Sequence, residues 1–141
     1  MNGFKPYFRR LTLALALITG ATTSCSDEME TSIPYVRIDA RLSFTTYNGL
    51  KVPGITYFKQ YGYGGIFIIY NGLDYSVCDA ACPYEADASV IVEDEGGIGT
   101  CPKCGSQYNL LDGGSLMSGS SRESLRLYGA TASGNYLYIT N

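Results

Sequence analysis

Four of the five cysteines of this 141-residue chain fall between Cys78 and Tyr108. They are spaced as C-x3-C (Cys78, Cys82), an eighteen-residue gap, then C-x2-C (Cys101, Cys104). Two close cysteine pairs brought back together by one hairpin-like excursion make a tetrahedral set of sulfurs. Zn²⁺ and iron–sulfur clusters both take such a set. Cys101-Pro102-Lys103-Cys104-Gly105 has the form of a metal knuckle. Its tight turn aims two sulfurs at one point, and Gly105 lets backbone amides approach them. A third use of the same residues needs no metal. Outside the cytoplasm the four thiols can oxidise to two disulfides, in any of three connectivities. Bonds between the two pairs would then stabilise by roughly 3 kcal/mol.

The first twenty-four residues have the make-up of an export signal rather than of a fold. Lys5, Arg9 and Arg10 form a basic start, and Leu11–Ile18 is an apolar run too short to anchor in a bilayer. Small residues from Gly20 to Ser24 lead to Cys25. This resembles a bacterial lipoprotein signal, with cleavage before Cys25 and lipid on its thiol. Arg9-Arg10 also resembles the twin-arginine route, which carries folded, cofactor-loaded proteins. Ser26-Asp27-Glu28-Met29-Glu30 resembles the surface-export signal of lipoproteins in the Bacteroidetes group, and as plain chemistry it is a solvated tether. The expected division is a signal peptide over 1–24, a lipidated tether over 25–32 and one β domain over 33–141. The expected location is the outer membrane or cell surface. Loss of residues 1–24 leaves 7 Lys and Arg against 13 Asp and Glu, a net charge of −6. No basic stripe remains, so nucleic acid is not an expected partner.

The rest reads as strands. Val36, Ile38 and Ala40 alternate with Tyr35, Arg37, Asp39 and Arg41, the period of a half-buried strand. Gly65–Tyr70 is a short, continuous apolar run and reads as a central strand. Asn71-Gly72 turns it, and Leu73–Val77 pairs back, delivering Cys78 at its end. Further strands are expected over 88–93 and 107–111, with 98–100 leading into the second knuckle and a last hairpin around Ser133-Gly134-Asn135. No stretch beyond the leader has helical periodicity. Short strands at regular spacing give an all-β expectation, a small sandwich or barrel with metal loops 78–84 and 101–106 at one end.

From Cys78 to Ile139 the sequence resembles the Rieske iron–sulfur domain. Cys82-Pro83-Tyr84 stands where that family has C-x-H, and Cys101-Pro-Lys-Cys104-Gly-Ser106-Gln-Tyr108 where it has its second loop. Asp112-Gly113-Gly114, Gly119, Leu125 and Tyr128 match later landmarks. The departures are equally informative. The chain has no histidine, so two-Cys, two-His ligation is excluded. Tyr84 and Cys104 replace the histidines, and Cys78 offers the missing ligand. The loop covering the cluster in the family reads Gly119-Ser120-Ser121 here. The resemblance implies a [2Fe–2S] cluster on Cys78, Cys82, Cys101 and Cys104. It also implies that the hydroxyls of Ser106 and Tyr108 bond the cluster sulfurs. A four-thiolate cluster should work near about −400 mV, below the Rieske range.

The thiolates alone suit structural Zn²⁺, which needs no assembly machinery and staples two loops together. The resemblance and the Ser106/Tyr108 pair point to iron and electron transfer. No nucleophile–base pair suggests hydrolysis, so the expectation is an electron-transfer or binding lipoprotein rather than an enzyme. A redox partner protein is expected with iron. Asp79, Glu85, Asp87, Glu93, Asp94 and Glu95 read as an acidic rim near the metal loops. Tyr57, Tyr61, Tyr63, Tyr70 and Tyr75 read as sheet packing.

Overall fold

The computed structural model describes residues 31–141. The expected leader over 1–24, the lipidated Cys25 and the acidic run 26–30 lie outside the described residues. Ten strands follow: β1 Asp39–Ser43, β2 Gly54–Phe58, β3 Ile66–Tyr70, β4 Tyr75–Asp79, β5 Glu93–Glu95, β6 Ile98–Thr100, β7 Gln107–Asn109, β8 Ser115–Ser118, β9 Leu127–Ser133 and β10 Tyr136–Thr140. Two short 3-10 turns, Asn48–Lys51 and Leu110–Asp112, are the helical elements among the described residues. One antiparallel sheet runs β1-β10-β9-β4-β3-β2, and a smaller one β5-β6-β7-β8.

The first four residues of β3 are all buried, and the reason is that both faces of the strand are covered. Ile66 and Ile68 enter one core with Leu42, Val77, Leu137 and Ile139. Phe67 and Ile69 enter a second with Cys78, Cys82, Cys101, Tyr108 and Leu110. Adjacent residues of β4 divide in the same way, Val77 to the first core and Cys78 to the second. By contrast β1 alternates, with Ala40 and Leu42 inside and Asp39 and Arg41 outside, since only one of its faces is covered. The β9–β10 hairpin pairs Tyr136 with Ser133. The expected all-β architecture is thus observed, with the first cysteine loop running from the large sheet to the small one and the second joining β6 to β7.

Two local expectations are corrected, and one strand was not expected. The stretch expected as a strand over 88–93 forms a single bridge, Ala81 to Ile91, before β5 starts at Glu93. The Asp87 carboxylate accepts from the amide and hydroxyl of Ser89, which turns the chain. Val90 and Val92 then bond the backbone of Cys82 and Ala80 instead of a ladder. The strand expected over 107–111 stops at Asn109, whose side chain accepts from the Leu111 amide and opens a 3-10 turn. The short polar β8 carries too little apolar pattern to be read from sequence.

Leu137 is fully buried in the first core. Leu137→Ala should cost about 2–5 kcal/mol in equilibrium urea unfolding. Leu73→Ala, at an 87% exposed site, should stay within about 0.5 kcal/mol.

Candidate metal centre

β4 carries the chain towards the site, and it runs one residue further than its sequence suggests. Asp79 still bonds its neighbour through its amide to Arg126 O (2.8 Å), and the Ala80 amide bonds Gly65 O (2.9 Å). The Asp79 carboxylate is what fixes this end. It is fully buried and accepts from the amides of Tyr63 (2.7 Å), Gly64 (3.0 Å) and Ala81 (2.8 Å) and from the Tyr128 hydroxyl (2.7 Å). Asp79 therefore does not belong to the acidic rim. A buried carboxylate persists only where donors replace its water, and four do so here.

Beyond Asp79 the first loop begins. The Cys82 amide bonds Val90 O (3.0 Å), and the Ala86 amide turns back to Cys82 O (3.0 Å). The second loop joins β6 to β7. Its turn closes through Gly105 N to Cys101 O (3.0 Å) and Cys101 N to Ser106 O (2.9 Å). Gly105 has φ 73°, a left-handed conformation that costs a glycine little. Lys103 of the second loop pairs with Glu85 of the first at 2.8 Å, a clasp that the spacing of the cysteines does not announce.

The two loops bring together Cys82, Cys101 and Cys104, whose sulfurs all lie within 4.8 Å of one another. Cys82 Sγ and Cys104 Sγ are 3.6 Å apart. Among the described residues no other cysteine or carboxylate completes that group. Cys78 stands inside β4, opposite Phe67 and Leu127 and fully buried in the second core. Tyr84 is 58% exposed on the first loop.

Both hydroxyl residues singled out by sequence touch sulfur. Tyr108 Oη lies 3.4 Å from Cys82 Sγ, and the Cys104 thiol donates to Ser106 Oγ at 3.1 Å. Ser106 Oγ also accepts from the Ser121 amide at 2.9 Å, which ties the 119–123 loop to the site. A Cβ built on Gly119 would stand 2.4 Å from Ser106 Cα, so only glycine permits this approach.

Environment separates the thiols. Burial, with a smaller push from Asp79, raises Cys78 to about 12. Burial raises Cys101 to about 11. Burial pulls Cys104 upwards too, but the Ser106 hydroxyl and amide and the neighbouring sulfurs outweigh it and leave the thiol below its ordinary value.

No protein-family model matches the chain, and no curated protein matches it. Solved structures do. The cyanobacterial plasma membrane Rieske protein PetC3 from Synechocystis PCC 6803 superposes with a TM-score of 0.51 at 16% identity, covering 76% of this chain and 100% of that one. The ferredoxin of carbazole 1,9a-dioxygenase from Nocardioides aromaticivorans IC177 gives 0.47 at 13% identity, covering 75% and 98%. The first likeness establishes the fold as Rieske-like.

Two outcomes follow. In reduced, metal-free protein at pH 8, iodoacetamide should label Cys104 first and Cys78 only on unfolding, as read by peptide mass mapping. Asp79→Ala strands four buried donors, each worth about 1–3 kcal/mol, and should lower unfolding stability by at least about 3 kcal/mol.

Proposed function

We propose that this chain is an exported, lipid-anchored, non-enzymatic protein whose Rieske-like domain holds one thiophilic metal ion on Cys82, Cys101 and Cys104. The mutual approach of those three sulfurs carries the reading. Thiolates on one tetrahedral Zn²⁺ at Zn–S of about 2.3 Å stand about 3.8 Å apart. The 3.6 Å between Cys82 and Cys104 is thus already the spacing of two ligands on one ion. Thiolate donors select soft or borderline ions such as Zn²⁺ over hard ones. The ion itself would supply the link between the two loops. The chain supplies the rest. Glu85 and Lys103 clasp the loops, and Ser106 and Tyr108 direct hydroxyls at two of the sulfurs. The lipid anchor on Cys25 rests on the leader: a basic start, a short apolar run and small residues before the cysteine.

A second reading is the electron carrier, with a [2Fe–2S] cluster near about −400 mV. The Rieske-like fold and the hydroxyl contacts to sulfur favour it. A two-iron cluster takes two ligands on each iron, however, and the described loops gather three thiols. The fourth would have to come from Cys78 or from the phenol of Tyr84. A tetrahedral ion is short of one ligand too, so what favours a single ion is that all three sulfurs lie within 4.8 Å of one another.

Metal and sulfide analysis of protein purified without air, with its visible spectrum, decides between them. One ion per chain and no inorganic sulfide is the expected result. Two irons with two sulfides would replace it by the second reading, and metal-free protein with two disulfides would defeat both. Cys82→Ser, Cys101→Ser and Cys104→Ser should each weaken metal binding by more than the roughly 10–100-fold typical of an outer hydrogen-bond partner. Cys78→Ser should leave the affinity within about threefold, since its sulfur stands outside the group.

A further inference from the structure

The start of the described chain lies against the metal loops. Ser32 gives its amide and hydroxyl to the Glu123 carboxylate, at 2.8 and 2.7 Å. The Glu123 carbonyl accepts from the Ser121 hydroxyl at 2.9 Å. The Ser121 amide bonds Ser106 Oγ, which accepts from the Cys104 thiol. Three residues joined by hydrogen bonds, Glu123, Ser121 and Ser106, thus connect Ser32 to the candidate metal ligand Cys104. Ser32 also lines a cleft of about 200 Å³ with Pro83 and Tyr84, the two residues after Cys82, and with Ser120–Glu123. Ile33 is buried, and its carbonyl accepts from Arg126 at 3.1 Å. The exit point of the N-terminal segment is therefore fixed.

From Cys25 to Ser32 there are seven residue steps. Seven steps reach at most about 25 Å when fully extended, and a random coil of seven steps averages only about 15 Å, short of the domain's far end. We propose that the anchor holds the metal end of the domain, rather than its far end, against the lipid surface. The proposal rests on the lipid-anchor reading of Cys25. The β3–β4 turn at Leu73 marks the other end, six residues of extended chain from Asp79, or about 20 Å. The residues beside the exit suit a headgroup layer. Tyr84 is exposed, with an apolar ring and a polar tip, and Arg122 is an exposed cation on the same cleft.

The chain contains no tryptophan, so one introduced indole reports its own position. Full-length, lipidated Tyr84→Trp, Ser120→Trp and Leu73→Trp proteins are bound to phosphatidylcholine vesicles carrying a dansyl-labelled headgroup, and energy transfer is measured. Transfer from Trp at positions 84 and 120 should exceed that from position 73 severalfold. Equal transfer, or the reverse order, overturns the orientation. A Gly-Ser spacer of roughly ten residues between Glu30 and Thr31 should bring position 84 down towards the level of position 73. Unchanged transfer would assign the orientation to the loops' own affinity for lipid and overturn the role of the tether. Wild-type protein that stays off the vesicles and carries an unmodified Cys25 defeats the anchor reading, and this proposal with it. That result is distinct from a bound protein in the wrong orientation.

Discussion

The buried carboxylate of Asp79 is the constraint on which the metal end depends. Three backbone amides and one phenol converge on it, from the 60–65 turn, from the start of the first loop and from β9. An anion in a dry interior is costly unless every donor is in place. The carboxylate therefore sets the angle at which the chain leaves β4. Cys82 follows three residues later with its amide already bonded to Val90. The first half of the candidate site is thus fixed by hydrogen bonds, whatever the loops hold.

The large sheet was legible where one physical cause dominated. Ile38, Ala40 and Leu42 alternate because one side of β1 is covered, and Ile66–Ile69 do not because both sides of β3 are. The segment before β5 was less legible. Its residues have strand propensity, but Asp87 and Ser89 form a local turn, and the amides and carbonyls go to the first loop. Asp79 could not be told from its acidic neighbours by sequence, since burial of a carboxylate depends on donors distant along the chain. The candidate site was legible through its second loop, where Cys101, Cys104, Ser106 and Tyr108 sit in one short run. Cys78 is different. Counting to four thiols brings it into the ligand set, but it stands four residues before Cys82, inside β4 and fully buried in the second core. The clasp between Glu85 and Lys103 had no sequence signal beyond opposite charge.

The fold is shared with a Rieske protein at 16% identity. On the resemblance read from the sequence, a thiol would stand for imidazole on the second loop and a phenol on the first, in a chain with no histidine. Such an exchange keeps the scaffold because the scaffold is held elsewhere, by two cores that meet along β3 and β4. The chemistry at the tip can change while the sheets beneath it stay the same.

The contact at Gly119 has a mechanical consequence. With no room for even one carbon between it and Ser106, the 119–121 stretch and the knuckle cannot slide past each other; they shift as one body or not at all. The Pro83–Glu85 turn is held to that body by a partly solvated ion pair. Entry and departure of an ion would then be a hinge opening on the Tyr84 side, with the knuckle as the fixed jaw.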